Sequence, residues 1–135
     1  MKIKKIQRET LEFEVEGELD GAFIGTNQFS YQLAPHHPEH GSVFIIYTHT
    51  SIKGNVSGEI KFKGRITYFF EADKIKPTVK ELLNLTNEAI GELNVLLETQ
   101  IIEKTEYNPI KIFPSDEEDT IKTLQQNLLV AYPEN

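Results

Sequence analysis

The chain places all of its predicted strands before its predicted helices, and this order constrains the fold more than any other feature. Up to about residue 71, apolar and polar residues alternate with the period of two that is typical of β-strands. From about residue 77 to 104, apolar residues recur every three or four positions, as on one face of a helix. Because nothing helical separates the strands, the pattern disfavours a parallel doubly wound sheet and predicts an antiparallel one.

The first two strands are predicted from regular alternation. Leu11, Phe13 and Val15 alternate with glutamates in the first strand. A bulge or bend between Ile6 and Leu11 would bring the earlier aliphatic residues to the same side. The second strand alternates three apolar residues with Ser30 and Gln32, namely Phe29, Tyr31 and Leu33.

The third and fourth strands indicate where the sheet is buried. The run Val43–Tyr47 is apolar on both faces, which predicts a central strand covered on both sides. The fourth strand alternates as far as Phe70. Gly64 falls on its apolar face, where it leaves a gap for a bulky neighbour or marks a bulge. Phe69 is out of phase and is predicted to point to the other face.

Two helices follow the strands. A capping box of Thr78 and Glu81 predicts the start of the first helix. The segment Thr86–Glu88 could begin a fresh helix after a kink, so one long helix or a short helix and a long one are both compatible with the sequence. After an extended link, a second capping box of Ser115 and Glu118 predicts the start of the last helix.

The predicted fold class is therefore α+β. A four-stranded antiparallel sheet is followed by a long helix, an extended link and a short C-terminal helix, with the helices packed on one face. Residues 1–135 are expected to form a single domain, since no repeat or long linker divides them.

Composition narrows the classes of function. The net charge of −7 disfavours broad binding to a phosphate backbone, so no nucleic-acid partner is expected. The lack of cysteine excludes disulfides, thiol nucleophiles and zinc sites built on cysteine. No apolar run suits a membrane helix or a signal peptide, so we expect a cytoplasmic protein without membrane insertion.

Polar residues supply no recognisable catalytic set. The weak candidates for metal ligation are His36 and His40, but Pro38 between them favours a solvated turn. His49 lies within the third strand and has no identifiable partner for acid–base chemistry. No nucleotide-binding, hydrolase or metalloprotease motif occurs. We therefore expect no enzymatic activity, no metal and no cofactor.

The large number of apolar residues in the predicted strands is the feature that says most about function. The chain contains 8 Phe and 5 Tyr, most of them in predicted strands. Two helices can cover only one face of a four-stranded sheet. The other face is therefore expected to meet a second subunit, a bound chain or a ligand, unless loops such as residues 17–25 fold over it.

Three stretches resemble the SecB-like family of export chaperones. Ile3–Ile6 followed by Leu11–Glu14 is similar to the first strand of that family, and Glu59–Glu71 is similar to its fourth strand. The long helix followed by Asn108–Pro114 resembles its helix, proline-bounded extended link and short last helix. The family's aromatic–proline–aromatic stretch with an arginine is replaced here by Ala89–Asn94, which lacks proline and arginine.

The resemblance implies a non-catalytic molecular chaperone that binds unfolded or precursor polypeptides in apolar grooves. It also implies a homodimer or homotetramer, whose client comes from protein export or is the antitoxin of a toxin–antitoxin pair. The side chains predicted to bind the polypeptide are Phe44, Ile46, Phe69 and Phe23. The alternative is a small-ligand-binding protein or enzyme with a pocket between sheet and helix, into which His49 or Tyr47 would point.

Overall fold

The computed structural model describes residues 1–37, 41–71 and 76–133. Four strands are followed by two helices, which confirms the predicted α+β class. The elements are β1 (Ile3–Asp20), β2 (Phe23–His37), β3 (Gly41–Gly54), β4 (Ser57–Phe70), α1 (Val79–Lys104) and α2 (Glu117–Ala131).

The four strands form one antiparallel sheet in the order β1-β4-β3-β2. The central hairpin is β3–β4, so the two strands that come first in the chain are the two edges of the sheet. The chain crosses from one edge to the other beneath the hairpin turn, where the N–H of Asn55 donates to the carbonyl of Ala22 at 2.6 Å. Because β1 continues to Asp20 and β2 begins at Phe23, residues 17–25 do not form a loop over the sheet.

The pairing of β1 with β4 is irregular in three places. One register shift falls between Thr10 and Glu12, at the Leu11 end of the stretch Ile6–Leu11 in which a bulge or bend was predicted. With this extra residue, Ile6 lies opposite Tyr68 and Phe13 opposite Phe62, so both apolar residues face the same side. Because of the bulge, the apolar residues of both halves of β1 face the same core.

Both helices pack on one face of the sheet, which we call the helix face. It carries the fully buried side chains of the central hairpin, and α1 covers them with buried leucines. The hydroxyl of Tyr68 donates to the carbonyl of Leu85 in α1 at 3.3 Å. The opposite side, which we call the open face, has no helix of the described ranges on it.

Gly64 allows α1 to lie close to the sheet. A Cβ atom built at this glycine would be 2.7 Å from Leu93 Cδ2 and 2.9 Å from Phe62 Cζ, which is closer than atoms can pack. The gap predicted at Gly64 therefore exists, and Leu93 of α1 fills it.

The helix boundaries confirm one predicted cap and correct the other. Thr78 and Glu81 form a capping box, and α1 then continues as one long helix. The predicted box of Ser115 and Glu118 is wrong, since the carboxylate of Asp116 accepts from the N–H groups of Glu118 and Asp119. Ser115 and Asp116 are both good caps, and the path of the link selects the second.

Between the helices, the link is fixed at Ile112, whose side chain is buried in the core. The side-chain amide of Asn94 in α1 makes both hydrogen bonds to the backbone of Ile112, at 3.1 Å to its carbonyl and 2.5 Å from its N–H. Within the described ranges, neither helix is both long and apolar enough to cross a membrane.

Candidate functional site

The structure separates the four residues that were predicted to bind polypeptide. Phe44 and Ile46 lie on the helix face with 0% of their surface exposed, so the expectation that they line an exposed groove is wrong. Phe69 lies on the open face, where Lys5 Nζ is 5.7 Å from the centre of its ring. Phe23 lies at the start of β2 and is 52% exposed. A role of any of them in peptide binding stays a prediction.

The open face is covered largely by side chains of its own strands. The guanidinium of Arg65 lies 5.9 Å from the centre of the Tyr47 ring and also forms an ion pair with Glu9 of β1. The hydrogen bond that Arg65 donates to the carboxylate of Glu9 raises the pKa of Arg65, so this cation keeps its charge. The apolar second side of β3 is thus partly covered by side chains of this chain itself.

The basic residues of β4 are also neutralised on this face. Lys63 pairs with Glu12 at 3.2 Å, and Lys61 with Glu16 at 3.8 Å. Acidic β1 and basic β4 therefore form a ladder of ion pairs across neighbouring strands. The ladder leaves these cations little capacity to hold an acidic partner.

The two polar residues that were expected to point into a pocket between sheet and helix, His49 and Tyr47, do not lie there. His49 and Tyr47 share the open face with Lys63 and Arg65, opposite which they lie in the β3–β4 register. Both side chains therefore lie on the far side of the sheet from the helices. The geometry gives no support to the acid–base or ligand-orienting role that this alternative assigned to them.

The metal candidates receive no structural support. His40 lies outside the described residues, and the description of His36 does not extend to its side chain. Among the residues that the structure does describe, no group of three or more His, Asp or Glu is placed to hold a metal ion.

A different set of apolar side chains lies together along β2. On the helix face this edge strand presents a row of residues that are half-buried or exposed, which we call the β2 row: Phe23, Phe29, Tyr31 and Leu33. The ring of Tyr31 stacks on that of Phe44, with centroids 6.4 Å apart. The row therefore continues the core outward to the edge of the sheet, where part of its apolar surface still faces solvent.

Helix α2 packs against this row from above. Burial raises the pKa of the Tyr31 phenol, against a smaller lowering effect of hydrogen bonding to Thr120 of α2. The Tyr31 phenol therefore stays neutral, with its ring in the β2 row and its hydroxyl near Thr120 of α2.

At its Phe23 end, the β2 row opens into a groove of about 320 Å³, which we call the end groove. The turn after β1 forms one wall, and the segment after α1 forms the other. The two walls are joined by the Tyr107 hydroxyl, which accepts a hydrogen bond from the N–H of Leu19 at 2.9 Å. The lining side chains are mostly apolar: Leu19, Phe23, Tyr107, Pro109 and Ile110.

Of the residues on this surface, only Phe23 was predicted from the sequence to bind polypeptide. The alternation of β2 identified its inward residues but could not show that β2 is an edge strand, because pairing order is set by the whole fold. A signal was nevertheless present, since β2 contains no Lys, Arg, Asp or Glu. Such a strand is typical of the middle of a sheet, and its place at an edge sets it apart.

Comparison with known proteins supports the fold. No family model and no curated protein matches the sequence. Among solved structures, the chain is similar to the SecB-like chaperone Rv1957 of Mycobacterium tuberculosis, solved in complex with a ChAD peptide from the HigA1 antitoxin. The TM-score is 0.53 at 12% sequence identity, over 86% of this chain and 91% of that chain.

The chain shares the fold of a SecB-like chaperone. A protein of unknown function from Streptococcus agalactiae is also similar, with a TM-score of 0.43, 11% identity and coverage of 84% of this chain and 100% of that one. At that score the second similarity carries no argument. The fold predicted from the sequence resemblance is thus supported by structure, at a low sequence identity of 12%.

Proposed function

We propose that this protein is a non-catalytic chaperone that holds unfolded polypeptide segments along the β2 row and in the end groove. The observation that carries the proposal is the fold shared with a SecB-like chaperone that was solved with an antitoxin peptide. The exposed apolar surface of the β2 row supports it, because such surface at a sheet edge is typical of an interaction site.

The chemistry of this surface suits reversible holding. Burying one large apolar side chain contributes roughly 1.5–3 kcal/mol when the burial is complete. Each residue of the β2 row is already partly covered, so each contact contributes less than that. Several such contacts together hold a segment tightly enough to prevent aggregation and loosely enough to release it.

The client is an unfolded or precursor polypeptide, or an antitoxin-like segment, and the protein acts as a homodimer or homotetramer. Its net charge of −7 keeps the loaded complex soluble and favours basic clients at long range. No chemical step is required of any side chain in this proposal.

The test combines size exclusion and light scattering, with and without reduced, carboxymethylated α-lactalbumin as the unfolded chain. We expect co-elution of the two proteins and suppressed aggregation of the reduced chain. Phe23→Ala should weaken both effects, while the matched variant Val95→Ala should not, since Val95 is 59% exposed on α1 and lines neither the β2 row nor the end groove. A protein that ignores the unfolded chain would refute the proposal.

A further inference from the structure

We infer that the hydroxyl of Tyr107 is a latch between two grooves, which closes the end groove in the empty protein and opens when a polypeptide binds. The open latch lets the bound chain run on into a second groove, which is a further subsite for the client. This inference rests on the proposed function and adds a gate and a binding subsite to it.

The second groove adjoins the end groove and has a volume of about 540 Å³. Both grooves are lined by Leu19, Glu106 and Tyr107. The end groove continues with later residues of the two chain segments, and the second groove continues with earlier ones. These earlier residues are Val15, Glu18, Lys104 and Thr105. The contact between Leu19 and Tyr107 therefore lies between the two grooves.

The strand side of the latch is a main-chain N–H at an irregular point of β1. The pairing of β1 with β4 passes from Glu16 directly to Asp20, so Leu19 lies within a register shift. Its N–H donates to the Tyr107 hydroxyl at 2.9 Å. Gly58 of β4 lies so close that a Cβ atom built there would be 2.6 Å from the nitrogen of Leu19. The strand side is therefore held in place, and the phenol is the part that moves.

The helix side of the latch is fixed at the end of α1. The hydroxyl of Thr105 donates to the carbonyl of Ile101 at 2.6 Å and accepts from the N–H of Tyr107 at 3.1 Å. The backbone of Tyr107 is thereby tied to the last turn of the helix, while its side chain reaches across to β1. Rotation of this one side chain breaks the latch and leaves both walls folded.

The latch is weak enough for a client to open. One part-buried hydrogen bond favours the closed arrangement over the open one by about two- to tenfold. A ligand that gains contacts only in the open arrangement shifts the equilibrium by the differential affinity that those contacts supply. A few apolar contacts in the second groove are sufficient to overcome a ratio of this size.

The size of the end groove makes a long client pass the latch. Its volume of about 320 Å³ corresponds to roughly ten water molecules, which suits one or two residues. A longer extended segment must turn into solvent at Tyr107 or enter the second groove. There it meets Val15 and the stem of Lys104, whose Nζ lies 5.8 Å from the centre of the Phe13 ring. Glu18 adds a carboxylate, so this groove suits a chain of mixed apolar and polar residues.

The first test detects the latch in the empty protein. Tyr107→Phe keeps the ring and removes the hydroxyl, so the amide of Leu19 should exchange with solvent about two- to tenfold faster. Tyr132→Phe is the matched control, because it removes a phenol hydrogen-bonded to Ser42, at the other end of β3. The control should leave the exchange of Leu19 unchanged. Unchanged exchange in Tyr107→Phe would show that the hydroxyl latches nothing.

The second test separates gating from packing by the length of the ligand. Reduced, carboxymethylated α-lactalbumin is the long chain, and a glycine–phenylalanine–glycine tripeptide with blocked ends fits the end groove alone. Tyr107→Phe should bind the long chain about two- to tenfold more tightly, because the closed arrangement no longer competes. Its affinity for the tripeptide should stay the same. A purely structural role of Tyr107 predicts weaker binding of both ligands, and that result would overturn the inference.

A substitution in the second groove tests the subsite itself. Val15→Ser removes apolar surface from this groove and should weaken binding of the long chain at least about threefold, with the tripeptide unaffected. Leu11→Ser is the matched control in the same strand. Leu11 is 46% exposed, against 39% for Val15, and lines neither groove. Thermal unfolding of each variant confirms that the fold is retained.

The outcomes distinguish this inference from the proposed function. If α-lactalbumin is held equally well by the natural chain, Tyr107→Phe and Val15→Ser, the latch and the second subsite are refuted and the chaperone proposal stands. If Tyr107→Phe binds the long chain more tightly but Val15→Ser binds it normally, the chain does not enter the second groove and the inference is overturned. If neither ligand binds to the natural chain, both proposals fail.

Discussion

The two faces of the sheet cover their apolar side chains in different ways. Both present large apolar side chains from β3 and β4, and neither leaves them bare. On the helix face, α1 covers them with aliphatic side chains and fits Leu93 into the space left by Gly64. On the open face, long cationic side chains such as Arg65 lie over the aromatic rings and are held by acidic residues of β1.

The side chains that cover the two faces therefore contribute differently to the free energy of unfolding. Close-packed aliphatic contacts tolerate little change in volume, so single substitutions on the helix face should be severe. Cation–aromatic and surface ion-pair contacts are weaker, depend on salt and are individually replaceable. Four substitutions test this comparison.

The largest effect is expected for Gly64→Leu on the helix face. No space exists even for the Cβ atom, so the side chains of Leu93 and Phe62, and with a full leucine α1 itself, must shift, at a cost of about 3 kcal/mol or more. Chemical denaturation followed by circular dichroism measures the loss. Lys63→Leu, one residue earlier on the open face, is the matched control and should change stability by less than about 1 kcal/mol. Equal effects of the two variants would contradict the assignment of the faces.

Leu93→Ala should cost about 2–3 kcal/mol, because it leaves a cavity over Gly64. The cavity also makes room for a Cβ atom, so Gly64→Ala should be less damaging in the Leu93→Ala background than in the natural chain. A double-mutant cycle measures this coupling. Additive effects of the two changes would show that Leu93 does not occupy the space at Gly64.

On the open face, Arg65→Met keeps an apolar stem over Tyr47 but removes the charge that pairs with Glu9. The expected loss is about 1 kcal/mol, and part of it should disappear in about 1 M salt, where the ion pair is screened. Lys53→Met is the matched control, since Lys53 is exposed and has no ion pair with any described residue. A loss that matches Leu93→Ala would show that the open face is packed like the core.

The smallest effect is expected for Lys63→Met, which removes the exposed pair with Glu12. Such pairs contribute at most about 0.5 kcal/mol, and salt should abolish the difference from the natural chain. Denaturation midpoints at low and high ionic strength give the measurement. A loss above about 1 kcal/mol that persists in high salt would mean that the ladder acts as a cooperative unit.

The sequence predicted local structure well and long-range arrangement poorly. Alternation correctly placed Phe69 on the face of β4 opposite to that of Gly64, and the capping box of Thr78 and Glu81 located the start of α1. Both predictions depend only on residues that are close in sequence. The run Val43–Tyr47 was a different case. Since both of its faces are apolar, alternation could not decide which one the helices cover, and Phe44 and Ile46 were expected in an exposed groove although both are fully buried.

The candidate site was hidden for a related reason. Phe29, Tyr31 and Leu33 were recognised as the inward residues of a strand, which on its own suggests core. Their role depends on β2 being an edge, and that depends on β1 pairing with β4 across the whole strand half of the chain. The lack of charge in β2 acquires meaning only once its position in the sheet is known.

The strand order has a consequence for how the chain reaches its structure. Within the described residues, β1 pairs with β4 and β2 pairs with β3. The first two strands of the chain therefore do not pair with each other. During synthesis, residues 3–37 are added to the chain before any of their pairing partners. The hairpin β3–β4 is the local event that provides both partners, and pairing of Ile3 with Phe70 must wait for the last residues of β4. A protein proposed to hold unfinished chains thus passes through a stage in which its own first strands are unpaired.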